Sequence, residues 1–551
     1  MNLRDTYSVI PESYRKKGVL ISLSLFLRAV LDFAGVAVFI PVLARVLEKG
    51  DNFMSVLPVA GAALAFIVVK SVAVAGLTRY RSGFVFSLYS TLSETVLKKF
   101  MDRGLLFIRQ SSSVDLSNKV NAVTMTFVSG VILSLLNVIS SVMLLAIILI
   151  ALFIYEPLPT LALILVIGPF LFFYSFFVRK RVRALGIMEN QARKDQVRAV
   201  LDLFRGYPEY YVNDALGHQT GIFEDSISKI REVRMKTESY SAVSSGFMEI
   251  TVMLSVILLV LLSVSGSWGI SMTFGIFALS AMKILPSVRS IVSGWQAVQA
   301  SEYSTGVLKE ILDGPTVMVQ SPAEPLSFRH GISLRSISFR YDASRPCVFH
   351  DFSLEIRKGE YVGIKGRSGA GKTTLFNLLM GFYRPEKGGL YVDDTEITAG
   401  RVSSWQSMIG YVPQDVFLTN GTFVENVAFG RSSEDADRDR IRHIFRKVGL
   451  WDWISGLPQG MDTLLAEAGN TISGGQKQRI GIARALYKGA SVLFFDEATS
   501  SVDMKSESEI NSFIRELAEE DTALTVIVIA HRPETLASCT RIIDLDGMLE
   551  D

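Results

Sequence analysis

Gly366-Arg367-Ser368-Gly369-Ala370-Gly371-Lys372-Thr373 decides how the C-terminal half of this 551-residue chain is read. It fits the pattern G-x-x-x-x-G-K-[ST], in which glycines let backbone N–H groups converge on phosphate oxygens beside a helix N-terminus. Its surroundings matter as much as its letters. Tyr361–Lys365 ahead of it reads as a strand, and Lys372–Met380 behind it reads as a helix start. In that geometry Lys372 is expected to bridge the β- and γ-phosphates of ATP, and the Thr373 hydroxyl to coordinate Mg²⁺. The rest of the loop, through Thr374, forms the cradle. The bland alternative is a Gly-rich turn with an incidental lysine, and the strand–loop–helix placement argues against it.

Working outward, Ser491-Val492-Leu493-Phe494-Phe495 is an apolar run ending in Asp496-Glu497, as expected of a buried strand carrying two acids to a sheet edge. Adjacent carboxylates on a buried strand are costly unless a cation meets them. Nucleotide-bound Mg²⁺ is such a cation, with Asp496 as its holder and Glu497 left to orient or deprotonate the attacking water. His531 follows the strand-like Thr525–Ala530 and so falls at the same edge, where it is expected to sense the γ-phosphate. Short strands at Ile332–Tyr341, Tyr361–Lys365, Ser491–Phe495 and Ala523–Ala530 alternate with helical stretches. That pattern predicts an α/β phosphate-loop ATPase domain with a mostly parallel sheet.

The N-terminal half is written for another solvent. The chain is 49% hydrophobic, with a mean hydropathy of +0.33, and most of the apolar excess lies before Pro286. Six stretches have the roughly 20 apolar residues a membrane span needs: Val19–Leu43, Ser55–Leu77, Phe127–Phe153, Leu161–Phe177, Ala242–Ser263 and Ile270–Val288. Arg15, Lys16 and Lys17 precede the first. Arg79 and Arg81 follow the second, and Arg179 to Arg183 the fourth. The bias places the N-terminus, the long connections and the C-terminal half on the cytoplasmic side. Those connections, Tyr80–Thr126 and Val178–Ser241, read as helices extending beyond the bilayer. Each is broken by a turn, at Ser111–Leu116 and Gly206–Asn213. The resulting division is a transmembrane domain at 1–312, a linker at 313–330 and a nucleotide-binding domain at 331–551.

A net charge of +2 gives no footprint for nucleic acid, and two cysteines, Cys347 and Cys539, cannot make a disulfide framework.

Ile472-Ser473-Gly474-Gly475-Gln476-Lys477-Gln478-Arg479 resembles the signature sequence of ABC-type ATPases, with Ile472 where Leu is usual. Tyr341 resembles the aromatic that stacks on adenine. Gln414 resembles the glutamine-loop residue that reaches Mg²⁺ and water, Ser500-Ser501-Val502-Asp503 the loop after the catalytic acid, and His531 the switch histidine. Six spans fused ahead of such a domain look like an ABC exporter half-transporter. The resemblance implies a head-to-tail dimer in which each phosphate loop faces Ser473, Gly474, Gly475 and Gln476 of the other copy. Ser-Gly-Gly ahead of a helix is a second anion cradle, completed only when two domains close on ATP. The two turns would be coupling helices. With every motif present, a homodimer in a bacterial inner (cytoplasmic) membrane is expected, the alternative being a heterodimer with a second half-transporter. One departure is at the C-terminus: this sequence stops at Met548-Leu549-Glu550-Asp551, where relatives usually continue with another helix or two.

Charged residues inside spans are the hints about cargo. Arg28 and Asp32 are spaced to share a helix face, and Lys70, Glu249 and Lys283 also fall in or near spans. Each costs about 2.5–3.5 kcal/mol at mid-membrane, so most should face the bundle interior. Lys70 and Lys283 are expected to contact a phosphate-bearing or acidic cargo, whereas Arg28 and Asp32 suit mutual neutralisation. Phe26–Pro41 loosely resembles the opening of bacterial lipid-linked oligosaccharide flippases, which makes a glycolipid or lipid-linked sugar the expected cargo. Peptide or hydrophobic drug export is the alternative. A soluble ABC-type ATPase conflicts with six spans, and an ATP-regulated channel would not need Glu497.

Overall fold

The computed structural model describes residues 3–47, 53–265, 270–315, 324–342, 344–465, 472–496, 504–520, 522–530 and 532–549. Two compact units emerge. One is Met1–Phe100 with Ser111–Pro315, the other Met101–Gln110 with Thr316–Asp551.

The first unit is helical throughout. Its long helices are α1 (Glu12–Ala37), α2 (Phe53–Asp102), α3 (Ser134–Tyr155), α4 (Pro157–Arg205), α5 (Leu216–Ser265) and α6 (Ile270–Asp313). At 50, 49 and 50 residues, α2, α4 and α5 are each ~75 Å long, more than twice the ~30 Å of a hydrocarbon core. Of the three, α2 carries a stretch long and apolar enough to cross a membrane. Among the described residues four segments are long and apolar enough to cross a membrane: Glu12–Val46, Val56–Asp102, Ser113–Tyr155 and Gly275–Asp313. The first is interrupted at Val38–Phe39; Pro41 has no N–H to bond the Ala37 carbonyl, and its ring crowds that oxygen.

Ala29, Leu144, Ile148, Met248, Phe277 and Val288 bring α1, α3, α5 and α6 into one core. Close crossings rest on glycine. A Cβ at Gly186 of α4 would overlap the Ala300 carbonyl oxygen of α6, and one at Gly130 would overlap Ser301 Oγ. Small residues let packed helices approach in this way. By contrast Leu64, Val68, Val69 and Val72 leave α2 with a strongly exposed apolar face, as a helix meeting lipid or another apolar surface would have.

The second unit has two sheets rather than one. Strands β1 (Gly331–Phe339), β2 (Phe349–Arg357), β4 (Lys387–Val392) and β5 (Thr395–Glu396) form an antiparallel sheet ordered β2-β1-β4-β5. Strands β3 (Tyr361–Lys365), β6 (Ile409–Val412), β7 (Val492–Asp496), β8 (Thr525–Ile529) and β9 (Arg541–Asp544) form a parallel sheet ordered β6-β7-β8-β3-β9. The stretch Ile332–Tyr341 thus does not join the parallel sheet. Its alternating burial marks a strand covered on one face, whereas four consecutive buried residues in β3 and β7 mark strands covered on both. Two apolar cores flank the parallel sheet; in one, Phe376 meets Phe494 edge-on at 5.2 Å, and in the other Phe423 meets Phe445 at 6.3 Å.

Candidate functional site: a phosphate loop at the edge of the parallel sheet

Register decides what the sheet edge carries. Phe495 of β7 pairs with Val528 of β8, and Val528 with Gly363 of β3; one step on, Asp496, Ile529 and Ile364 stand in line. Val412 at the end of β6 pairs with Phe495. The chain segments after β3, β6 and β7 therefore leave the sheet side by side, which brings the phosphate loop, Gln414 and Asp496 to one edge. Glu497 and His531, which follow β7 and β8 in sequence, lie outside the described residues, as do Ser500–Asp503.

The loop itself turns on glycine. Gly371 caps helix α7 (Lys372–Leu379) at φ +91°, and Gly369 lies at φ +87° with open space where a Cβ would be. Both sit in the left-handed region that side chains rarely adopt. Lys372 is buried, its Nζ donating to the carbonyls of Gly366 (2.7 Å) and Arg367 (3.0 Å), so the amine is held inside the curl of its own loop. Arg367, Ser368 and Gly369 are exposed, Ala370 is buried beneath them, and Thr373 is exposed at the helix start. The Asp546 carboxylate accepts the Arg367 backbone N–H at 2.7 Å, buttressing the loop from the segment after β9.

Tyr341 stands beside α7. Its hydroxyl is 2.6 Å from Thr374 Oγ1, and its ring packs edge-on against Phe339 and Tyr383. Here too the short helix Gly104–Gln110 belongs to this unit. Leu105 and Leu106 pack on its apolar core, Gln110 Nε2 donates to the Tyr341 carbonyl at 3.5 Å, and Arg109 Nη1 to Tyr383 Oη at 3.4 Å. The expected turn at Ser111–Leu116 is in fact a break at Ser111–Ser112, followed by a new helix, Ser113–Asn118. The helix between long elements comes just before it. At Gly206–Asn213 the structure has the expected short helix, Tyr207–Val212.

Asp496 is half-buried, and the Tyr411 hydroxyl lies 3.5 Å from its Oδ2. Burial first, and the Asp496 charge second, push the Tyr411 phenol up to about 12, so it stays a neutral donor. A hard cation suits these donors: the Thr373 hydroxyl, the Gln414 side chain and the Asp496 carboxylate are all oxygens. Among the described residues no group of three or more His, Cys, Asp or Glu is placed to hold a metal ion.

Ser473 caps helix α8 (Gly474–Lys488) through a reciprocal pair: its hydroxyl accepts the Gln476 N–H at 3.3 Å and its own N–H donates to Gln476 Oε1 at 2.9 Å. Ser473 and Gly474 are exposed and Gly475 is buried. Gln478, in the signature-like stretch, has a role that the motif alone does not give. It is 3% exposed, and its Nε2 donates to the backbone carbonyls of Gln414 (2.7 Å) and Pro413 (3.4 Å). An amide inside an otherwise apolar helix face was the available signal.

Residues 349–500 match the family described as ABC transporter. The leukotoxin translocation ATP-binding proteins LktB of Mannheimia haemolytica and of Bibersteinia trehalosi are each 36% identical over 285 residues, or 52% of this chain and 39% of the relative. The match thus spans well under two thirds of those relatives. Among solved structures, a bacterial Atm1-family ABC exporter with ATP bound has a TM-score of 0.82 at 23% identity, covering 97% of this chain and 94% of that one. The C-terminal unit is an ABC-type ATPase domain. The chain as a whole shares the fold of that exporter structure, a long-helical domain followed by the α/β domain.

Proposed function

We propose that this chain is an ATP-driven exporter or flippase that works as a pair of copies in the inner (cytoplasmic) membrane, its ATPase domains in the cytoplasm. The observation that carries the reading is a phosphate loop lined up with Asp496 and Gln414 in a chain whose other half is long apolar helices. Lys372 and the loop N–H groups bind the triphosphate, with Tyr341 against the base. Thr373, Gln414 and Asp496 would hold Mg²⁺, which would supply charge neutralisation to the phosphates. Glu497 orients and deprotonates water, and His531 contacts the γ-phosphate. Ser473, Gly474, Gly475 and Gln476 of the second copy close the site, so nucleotide favours the closed pair and hydrolysis releases it.

An amphipathic, lipid-like cargo taken from the cytoplasmic side is the preferred substrate class, a glycolipid or lipid-linked oligosaccharide within it. The ionised cluster around Asp32 in the apolar helices favours a cargo with a polar head. Peptide export is the second reading, supported by the relatives named for leukotoxin translocation. Reconstituted full-length protein should hydrolyse Mg·ATP, Lys372→Ala should lower turnover at least ~100-fold, and lipid-linked sugars should stimulate the wild type more than peptides do. Stimulation by peptides alone selects the second reading; no hydrolysis sinks both.

A further inference from the structure

The membrane-type helices collect their charges at one place without balancing them. Lys70 Nζ is 2.8 Å from Asp32 Oδ1, Arg28 Nε is 3.8 Å from Asp32 Oδ2, and Lys283 Nζ is 3.9 Å from Asp32 Oδ1. Among the described residues, no other carboxylate is within ion-pair reach of these three cations. Lys70 is the built-in counter-ion rather than a free arm. It is 12% exposed and lies against Gly35, where a Cβ would come 2.8 Å from its Nζ and 3.1 Å from its Cδ. The glycine leaves the slot through which the amine reaches Asp32.

One lysine neutralises the one carboxylate, so Arg28 and Lys283 are surplus, 29% and 37% exposed. Arg81 adds to the excess. It is 8% exposed. Its Nη1 donates to Asn137 Oδ1 at 2.7 Å, while its Nε is buried with no partner. A helical rise of ~1.5 Å per residue puts Arg28 and Asp32 ~14–20 Å from the Val19 end of the first span, and Lys283 ~8 Å from the Val288 end of the last. With both those ends cytoplasmic, the cluster lies at inner-leaflet to mid-bilayer depth. Cations held there persist when an anion completes them.

We infer that Arg28 and Lys283, backed by Arg81 and seated by the Lys70–Asp32 pair, bind the phosphate of an amphipathic substrate's head group. This rests on the exporter reading above. A phosphate monoester matches the surplus because it carries close to two negative charges, and guanidinium and ammonium donors suit its oxygens. The test is equilibrium binding of fluorescent phosphatidic acid and phosphatidylcholine to the full-length protein in neutral-lipid nanodiscs, without nucleotide. Its outcome is therefore independent of ATP turnover, and failed hydrolysis counts against the exporter reading alone.

The wild type is expected to prefer phosphatidic acid by ~10-fold or more, and Lys283→Gln and Arg28→Gln each to cut that preference at least ~3-fold. Lys283→Arg should keep it. Lys283→Gln leaves the Lys70–Asp32 pair intact, so it reads the site even where Arg28→Gln does not fold. Displacement by millimolar pyrophosphate assigns a soluble phosphoanion as ligand, and resistance to it assigns a lipid head group; either upholds the anion site. Equal affinity for the two lipids, or a preference surviving both Gln substitutions, overturns it.

Discussion

Cys539 shows how a residue's surroundings set its chemistry. It sits after the helix Pro533–Ala537, beneath β3, where a Cβ on Gly363 would come 2.8 Å from its Sγ. Burial disfavours the thiolate and pushes the thiol up to about 11. At pH 8 about one in a thousand Cys539 side chains is ionised, and the thiolate is the reactive form. Cys347 is exposed. Maleimide at pH 8 should therefore label Cys347 rapidly and Cys539 at least ~100-fold more slowly, the Cys539 rate rising with pH toward 11. Peptide mass spectrometry after timed labelling checks this, and equal rates would contradict the packing around Gly363. At the same scale, Lys372 and the loop glycines were legible in sequence because phosphate binding fixes their spacing. The Lys70–Asp32 pair was not, because it joins two helices whose relative rotation no local pattern encodes.

Among elements, helix α8 does two jobs. Its N-terminus presents Ser473 and Gly474, while one turn in, Gln478 grips the carbonyls of Pro413 and Gln414. Removing the amide takes the donor from two part-buried carbonyls, which costs about 0.5–1.5 kcal/mol per hydrogen bond. Gln478→Leu is therefore expected to leave ATP affinity within a few-fold while lowering kcat by ~10-fold or more, because Gln414 loses its fixed approach to the site. ATP binding and turnover measured on the same preparation check it; an unchanged kcat would make Gln478 a packing residue only. Strand positions were legible to within two residues for β1, β3, β7 and β8. Sheet membership is the part the expectation missed: β1 alternates apolar and polar residues where β3, β7 and β8 run apolar, and it pairs antiparallel with β2 and β4. The Phe349–Arg357 strand, with charged residues along its exposed face, gave no apolar run to notice.

For the whole molecule, apolar stretches are legible because a helix that satisfies its backbone groups internally leaves a long continuous signal; of the six expected, four segments among the described residues are long and apolar enough to cross a membrane. The long polar extensions of the helices are legible only as a charge pattern, and the assignment of Met101–Gln110 to the second unit is not legible, since Gly104-Leu105-Leu106-Phe107 reads like any short amphipathic turn. The central claim concerns two copies: Ser473 of one meets the phosphate loop of the other across ATP. Its direct test is disulfide cross-linking between Ser368→Cys and Ser473→Cys in a Cys347→Ser, Cys539→Ser, Glu497→Gln background of the full-length protein. The account expects an inter-chain cross-link that forms with Mg·ATP and is largely absent without nucleotide. No cross-link with Mg·ATP bound, or the same yield with and without it, would contradict the account.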